Sequence, residues 1–418
     1  MFSSCRGQNV LEGPLKVFFF AQEKYQTTIL TSQSLTGTFI TDAMVSAKAA
    51  AAAIRDTVLP PSLKLAELQR VALLCGLATS GTKADIRERI ADVVANAPGG
   101  GGVPWRDRRI LSIDLGLRNL GYGLLTPAPE PRRKKLQDPS PLAPPRVQLH
   151  AWMRTDLVAP PASPSPAAAA DPALSKREKL KEKQKQSEAF SPAALSETAV
   201  RLVRHTLLPL KPTHVLIERQ RFRSGNAAPV LEWTLRVNTL EAMIYAAFRT
   251  LRECGQWEGE VVSVPPLRVG PFWMAGADGG GAGGGTKKAE AADTDLDLEE
   301  LKGETETTRR RKSSRQAKLN MKKEKIDILG NWLSEGAVIS PQTNGVEAMI
   351  QTYFEHWRRK PGARKTKTRI NELGIEEEAI KKIDDLADSL LQGMAWIRWE
   401  ENKESLKSSE SVMKLLSG

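Results

Sequence analysis

Two short apolar segments of this chain each end in a single carboxylate, and this feature restricts the fold more than any other. Residues 110–113 lead into Asp114, and residues 215–217 lead into Glu218. Short apolar runs bounded by turn residues predict buried strands. A carboxylate at the end of such a strand is costly to bury unless it is paired or bound to a cation. Two simpler alternatives stay open: an Asp114 that faces solvent at the end of its strand, and a Glu218 that pairs with one of the arginines that follow it.

A third acidic segment follows much later, at Asp384, Asp385 and Asp388. Asp384 and Asp388 are four residues apart and would share one face of a helix, and Asp385 is three residues from Asp388. Acids also favour a helix N-terminus, which is the simpler explanation. Like charges at this spacing repel, however, so the crowding favours a cation site. Carboxylate oxygens suit Mg²⁺ or Mn²⁺.

Predicted strands and helices alternate along the chain, which indicates an α/β core. Strands are predicted at 109–115, 119–125, 147–153, 213–218 and 261–264. Helices are predicted at 191–208, 229–253, 316–334, 344–358 and 376–400. The core would span 108–402, followed by a tail at 403–418. Low-complexity insertions lie near 126–146, 155–190 and 275–315, and the last of these is expected to be disordered.

Residues 60–97 predict a separate pair of short helices ahead of the core, joined to it by a linker at 98–107. The pair resembles the SAP motif, a small DNA-binding helical module. The matching residues are Leu68, Gly76-Leu77, Gly81, Lys83, Ile86 and Arg89-Ile90. The resemblance implies that Lys83 and the start of the second helix contact phosphates. An ordinary helical hairpin is the alternative.

The order of the acids resembles the ribonuclease H-like superfamily, which has a mixed sheet flanked by helices. Within it, the chain is most similar to RuvC-type resolvases and to the fungal mitochondrial cruciform-cutting Holliday junction resolvases. The motifs that carry the resemblance are Ile113-Asp114-Leu115-Gly116 with Asn119-Leu120-Gly121, Ile217-Glu218-Arg219-Gln220-Arg221, and Asp384-Asp385-Leu386-Ala387-Asp388-Ser389.

The resemblance implies a crossover junction endonuclease that hydrolyses phosphodiester bonds with two divalent ions, Mg²⁺ or Mn²⁺, and no small-molecule cofactor. Asp114 would bridge the ions, and Glu218 and Asp388 would complete their ligands. Asp384 would bind an ion or orient the water, and Asp385 is the less certain member of that pair. The resemblance also implies a mitochondrial location.

The net charge of +12 favours an acidic partner such as a nucleic acid. Arginines after the strand that ends at Glu218 would hold phosphates. Phe222 would stack on an unpaired base or, as the alternative, pack in the core. The candidate DNA-binding residues are Lys83, Arg219, Arg221, Phe222, Arg223, Lys318, Lys322 and Lys323.

A four-way junction has approximate two-fold symmetry, so paired cuts imply a homodimer. The helix at 229–253 offers an apolar stripe for the interface, and the alternative is that it packs on its own sheet. The stripe is formed by Trp233, Val237, Leu240 and Ile244.

Targeting signals are weak. Residues 1–48 contain few acids and many serines and threonines, which is typical of a transit peptide or of a disordered leader. The basic run at 309–312 is an alternative nuclear signal. The sequence has three separated cysteines, which do not predict disulfides or a zinc ribbon. It has no apolar run of about 20 residues, so no membrane span is predicted.

Two other functions fit parts of these observations. A ribonuclease H-like nuclease for RNA–DNA hybrids, or a transposase-type enzyme, would have the same fold but a different substrate. A non-catalytic SAP-containing scaffold protein would bind DNA without needing the acids.

Overall fold

A computed structural model describes residues 58–95, 103–129, 140–158, 188–220, 232–277, 304–358 and 383–417, with the backbone alone at 276–277 and 304–319. Its centre is a six-stranded mixed sheet in the order β5-β4-β1-β2-β3-β6. The strands are β1 (Ile110–Asp114), β2 (Leu120–Pro127), β3 (Val147–Thr155), β4 (His214–Glu218), β5 (Glu260–Val264) and β6 (Ile339–Pro341).

β2 runs antiparallel to both of its neighbours, whereas the pairs β1–β4, β4–β5 and β3–β6 are parallel. This sheet and the helices around it confirm the predicted α/β architecture, a mixed sheet flanked by helices. The helices are α1 (Leu65–Leu74), α2 (Lys83–Ala95), α3 (Pro192–Arg201), α4 (Glu232–Glu253), α5 (Pro266–Ala277), α6 (Glu304–Glu335), α7 (Asn344–Trp357), α8 (Ile383–Ser405) and α9 (Ser409–Ser417).

Alternate residues of each strand reach opposite faces of the sheet, as extended backbone requires. Leu111 and Ile113 of β1 pack with α3 and α4. Ile110 of the same strand packs with α8 on the other face. Ser112 and Asp114 are two and four residues after Ile110, so they lie on the same face of the strand. The carboxylate at the end of β1 is therefore on the face that α8 covers.

The helices α1 and α2 pack directly on the core. Their loop carbonyls are used by core side chains: Arg268 donates to the carbonyl of Gly76 at 2.8 Å, and Asn402 donates to the carbonyl of Leu74 at 2.7 Å. Gly76 adopts a φ of +66° over the ring of Trp399, where a Cβ atom would collide with the ring. The helical pair and the sheet therefore share one hydrophobic core.

The apolar stripe of α4 is used within this chain. Leu240 and Ile244 are fully buried and Val237 is nearly so, against α3 and the sheet. Trp233 is 41% exposed and rests edge-on against Phe190. This corrects the interface expected here, because three of its four side chains cannot reach a partner without unpacking their own core.

Two further differences from the expectations concern segment bounds. The backbone is helical from Glu304, inside the 275–315 segment expected to lack regular structure. Arginine, lysine and glutamate are good helix formers, so composition alone does not predict disorder there. Strand β6 is three residues long and has no sequence signal of its own. Among the described helices, none is long and apolar enough to cross a bilayer.

Candidate active site

The two strand-end acids lie side by side. β1 and β4 are adjacent and parallel, with Ile113 level with Ile217, so Asp114 and Glu218 stand at the same edge of the sheet. A hydrogen bond joins the two carboxyl groups. Side chains at the carboxyl ends of neighbouring parallel strands can act on one ligand, which is the usual place for a site in open α/β sheets.

Burial and neighbouring negative charges raise the pKa of both carboxyl groups. Burial is the main cause that raises the pKa of Asp114 well above its ordinary value, followed by the charges of Glu218, Asp388 and Asp385. Burial, and then the charge of Asp388, raises the pKa of Glu218 from 4.5 to about 7. Acids whose pKa is raised by burial and by neighbouring acids in a shared pocket are typical of functional sites.

Helix α8 brings the third acid to this pair. The helix lies on β1, where Gln392 donates to the hydroxyl of Ser112 at 3.1 Å and to the carbonyl of Ile113 at 3.3 Å. Gly393 packs so closely on Ser112 that a Cβ atom there would lie 3.1 Å from the serine Cβ. One turn before Gln392, Asp388 is near enough to raise the pKa of Asp114 and of Glu218.

Lysines of α6 pair with the outer acids. Lys325 donates to Asp388 at 2.6 Å, and Lys322 forms an ion pair with Asp384. The charge of Lys325 also lowers the pKa of Asp114 and of Glu218. These lysines partly offset the repulsion among the acids, as a bound cation would.

Asp385 has different partners from the other acids. Its Oδ1 atom accepts from Asn119 at 2.9 Å, and its Oδ2 atom accepts from the guanidinium of Arg154 at 3.0 Å. Both oxygens are therefore committed to groups of the sheet, and the residue is only 7% exposed. As a direct metal ligand Asp385 fits less well than its neighbours.

The donor set fits a divalent cation. It consists of carboxylate oxygens, which magnesium and manganese prefer, held where repulsion penalises ionisation without a counter-charge. Within the described ranges, no three acidic, histidine or cysteine side chains stand at the spacing of a formed metal site. In this structure the lysine pairs hold Asp384 and Asp388 instead.

The predicted DNA-binding residues are only partly described. Arg219 and Lys323 are exposed near the site, and Lys83 is exposed at the start of α2. Lys322 pairs with Asp384, as noted above. Arg221, Phe222, Arg223 and the side chain of Lys318 lie outside the described residues.

Sequence reasoning missed the partners of the acids. Arg154 sits near the end of β3 with no local motif, and only the fold brings it to Asp385. Glu241 of α4 accepts from the backbone of Gln220 at 3.2 Å and adds to the negative charge felt by Glu218. These partners lie far from the acids along the chain, so no spacing pattern in the sequence could indicate the contacts.

Comparison with known proteins identifies related sequences. Residues 110–406 match the family described as mitochondrial resolvase Ydc2 / RNA splicing MRS1. The mitochondrial cruciform cutting endonuclease 1 of Schizosaccharomyces pombe is 29% identical over 185 residues, which cover 44% of this chain and 55% of that protein. The protein of the same name from Saccharomyces cerevisiae is 24% identical over 228 residues, which cover 52% of this chain and 57% of that protein.

The chain thus spans somewhat more than half the length of the curated relatives that it matches. Among solved structures, it is similar to a crystal structure of the yeast mitochondrial Holliday junction resolvase Ydc2. That similarity has a TM-score of 0.44 and 20% identity, over 84% of this chain and 98% of the other.

Proposed function

The chain belongs to the mitochondrial resolvase Ydc2 / RNA splicing MRS1 family, and on this premise we propose that it is an endonuclease that resolves four-way DNA junctions. The observation that carries the proposal is the meeting of Asp114, Glu218 and Asp388, in which burial and neighbouring negative charges raise the pKa of Asp114 and of Glu218. A protein that only binds nucleic acid gains nothing from buried acids beside a polyanion. The acids therefore favour the resolvase branch of the family description over its splicing branch.

Asp114, Glu218 and Asp388 would hold divalent cations, with Asp384 as a further ligand or as the group that orients water. Resolvases of this kind generally use divalent ions, and we propose magnesium or manganese, two per site. When bound, such ions lower the pKa of a water molecule and offset charge on the attacked phosphate. The chain itself contributes the fixed carboxylates of β1 and β4 and the helix that carries Asp388.

Basic residues around this pocket would hold the DNA. Arg219 follows Glu218 directly, and Lys322, Lys323 and Lys325 belong to α6, which crosses the acid helix. Cations at this edge would neutralise phosphates beside the scissile bond and make binding depend on salt. The segment at 221–223 and Lys318 would extend this surface, and Lys83 of the SAP-like pair would form a second contact.

A junction offers two equivalent strands, so we propose a homodimer with two such sites. The buried face of α4 cannot supply the interface, and Trp233 is the predicted interface residue that is exposed. Both curated relatives are named as mitochondrial, and we propose the same compartment for this chain.

The test is a substitution of Asp114 by asparagine. Asp114→Asn should lower the rate of magnesium-dependent cleavage of a synthetic four-way junction about a thousandfold or more, because several kcal/mol of charge stabilisation is lost. Binding to the junction in a chelator should stay unchanged, because the phosphate-binding residues are intact. The matched control is Asp107→Asn, an exposed aspartate of the turn before β1, which should cleave normally.

The same assay separates the alternatives. Cleavage of an RNA–DNA hybrid in preference to the junction would favour the ribonuclease alternative. Absence of metal-dependent cutting of either substrate, with binding unaffected by Asp114→Asn, would favour the scaffold alternative and contradict the proposal.

A further inference from the structure

Three residues stand level across neighbouring strands at the active-site edge. Asp114 of β1 is the partner of Gly121 in β2, and Gly121 is the partner of Arg154 in β3. Directly opposed residues in a sheet point to the same face. The catalytic carboxylate and the guanidinium therefore flank a glycine on the face that α8 covers.

The helix α8 approaches the backbone of β2 closely at that glycine. A Cβ atom on Gly121 would lie 2.5 Å from the backbone carbonyl oxygen of Asp385. Real Cβ atoms do not come this close to a backbone oxygen, so only glycine lets the first turn of α8 rest here. The position of Asp388, one turn later, depends on this contact.

The side chain of Asp385 ties the same turn to two strands. Asn119 precedes β2, and Arg154 belongs to β3, so the two hydrogen bonds of the carboxylate hold the helix from both sides of Gly121. The Arg154 and Asp385 side chains are 11% and 10% exposed, whereas that of Lys322, which pairs with Asp384, is 48% exposed. A buried, charge-assisted pair with correct geometry fixes position better than an exposed one.

We propose that Asp385 is a positioning residue, clamped by Arg154 and Asn119, that holds Asp388 toward Asp114 and Glu218. It does not bind the cation itself. The inference rests on the proposed nuclease function, and it assigns the role of ligand to Asp384 and not to Asp385.

The experiment compares single-turnover cleavage of a four-way junction by the full-length protein and three variants. Asp385→Asn keeps the contact to Asn119 but turns an amide donor toward Arg154. Arg154→Met removes the guanidinium and keeps the length of the side chain. The double variant Asp385→Asn/Arg154→Gln rebuilds a neutral hydrogen bond, because the amide oxygen of glutamine occupies the place of the arginine Nε atom.

Each single variant should lower the cleavage rate about ten- to a hundredfold, as loss of an orienting partner of metal ligands does. The affinity for the junction should change by less than about threefold, since no phosphate contact is removed. The double variant should recover most of the lost rate. Titration calorimetry with Mn²⁺ should give the same number of bound ions for Asp385→Asn as for the unaltered protein.

The control is Arg249→Met, which makes the same arginine-to-methionine substitution in an exposed arginine–glutamate pair on α4. It should cleave and unfold like the unaltered protein. Thermal unfolding of every variant confirms that the rates refer to folded protein, and the double variant keeps the test valid if a single variant is unstable.

Two results would overturn the inference. An Arg154→Met variant that cleaves at the unaltered rate, beside an inactive Asp385→Asn, would show that Asp385 acts by itself. Loss of one bound Mn²⁺ ion in Asp385→Asn would show that it is a ligand. Failure of the unaltered protein to cut any junction would instead overturn the proposed function, and the positioning role with it.

Discussion

Helices α4 and α8 cover opposite faces of the same sheet but bury different kinds of residue. The buried side chains of α4 are all apolar and form one stripe along the helix. Helix α8 is buried almost all round, and its buried residues include Asp385, Ser389, Gln392, Arg398 and Asn402. Buried polar groups are costly unless they are hydrogen-bonded, and each of these five has a partner.

The difference teaches where each helix acts. An apolar stripe stabilises the fold by removing area from water and tolerates small shifts. Hydrogen bonds from α8 to the sheet fix the rotation of the helix about its axis and its position along that axis. Asp388 needs both to be fixed in order to lie close to Asp114 and Glu218. We therefore expect substitutions on the two faces to separate stability from chemistry.

The largest effect on stability should come from the α4 face. Leu240→Ala removes a fully buried side chain and should lower the free energy of unfolding by about 2–5 kcal/mol, through lost transfer energy and the cavity left behind. The cleavage rate of the protein that remains folded should change by less than about threefold. Denaturant unfolding and active-site-normalised kinetics measure the two quantities. A large loss of cleavage rate in fully folded Leu240→Ala protein would contradict the separation of stability from chemistry between the two faces.

A smaller cost in stability, but a larger one in rate, should follow from Gly121→Ala. The added methyl group meets the backbone of Asp385, which cannot rotate away as a side chain would. Overpacking of this kind costs about 1–3 kcal/mol, and the shift of α8 should lower cleavage about tenfold or more. Gly255→Ala serves as a contrast in a position with open space, although its positive φ adds backbone strain. An unaltered rate in Gly121→Ala would contradict the close fit.

The smallest effect should be a pH dependence confined to the α8 face. The folded-state pKa of Glu218 is raised from 4.5 to about 7, and that of Asp114 is raised as well. For a raised acid, the stabilising contribution is present below the unfolded value and is lost as the pH rises through the folded value. Metal-free protein should therefore lose stability between about pH 4.5 and pH 7.

Magnesium binds the ionised carboxylates and should oppose this loss. The gain in melting temperature on adding magnesium should be larger at pH 8 than at pH 5, by about 2–4 °C for each kcal/mol regained. Glu218→Gln should remove most of this difference, and Leu240→Ala should keep it. A magnesium effect that is equal at both pH values would count against the acid cluster as the binding site.

The sequence was sufficient to predict the strands and the helix that bring the acids together. The strands that end at Asp114 and Glu218 are predictable because each is a short apolar run bounded by turn residues. The acids of α8 are predictable from their helical spacing. The first residues of that predicted helix, 376–382, lie outside the described part of the chain. Local patterns were informative here because each element carries its own hydrophobic period.

What the sequence could not predict depends on long-range packing. The apolar stripe of α4 is compatible with an intermolecular interface and with an internal core. The position of α3, which covers the stripe, shows that it is part of the core. The partnership of Asp385 with Arg154 joins residues more than two hundred positions apart. Such contacts follow from strand order and register, which a single sequence does not specify.

The shared core of α1, α2 and α8 has a practical consequence for anyone who trims the protein. A shortened form starting at the sheet would remove one partner of Arg268 and one partner of Asn402, and would expose the ring of Trp399 that Gly76 now covers. Apolar surface uncovered in this way promotes self-association. A test of the proposed DNA contact of the helical pair is therefore better made by a point substitution at Lys83 than by deletion of the pair.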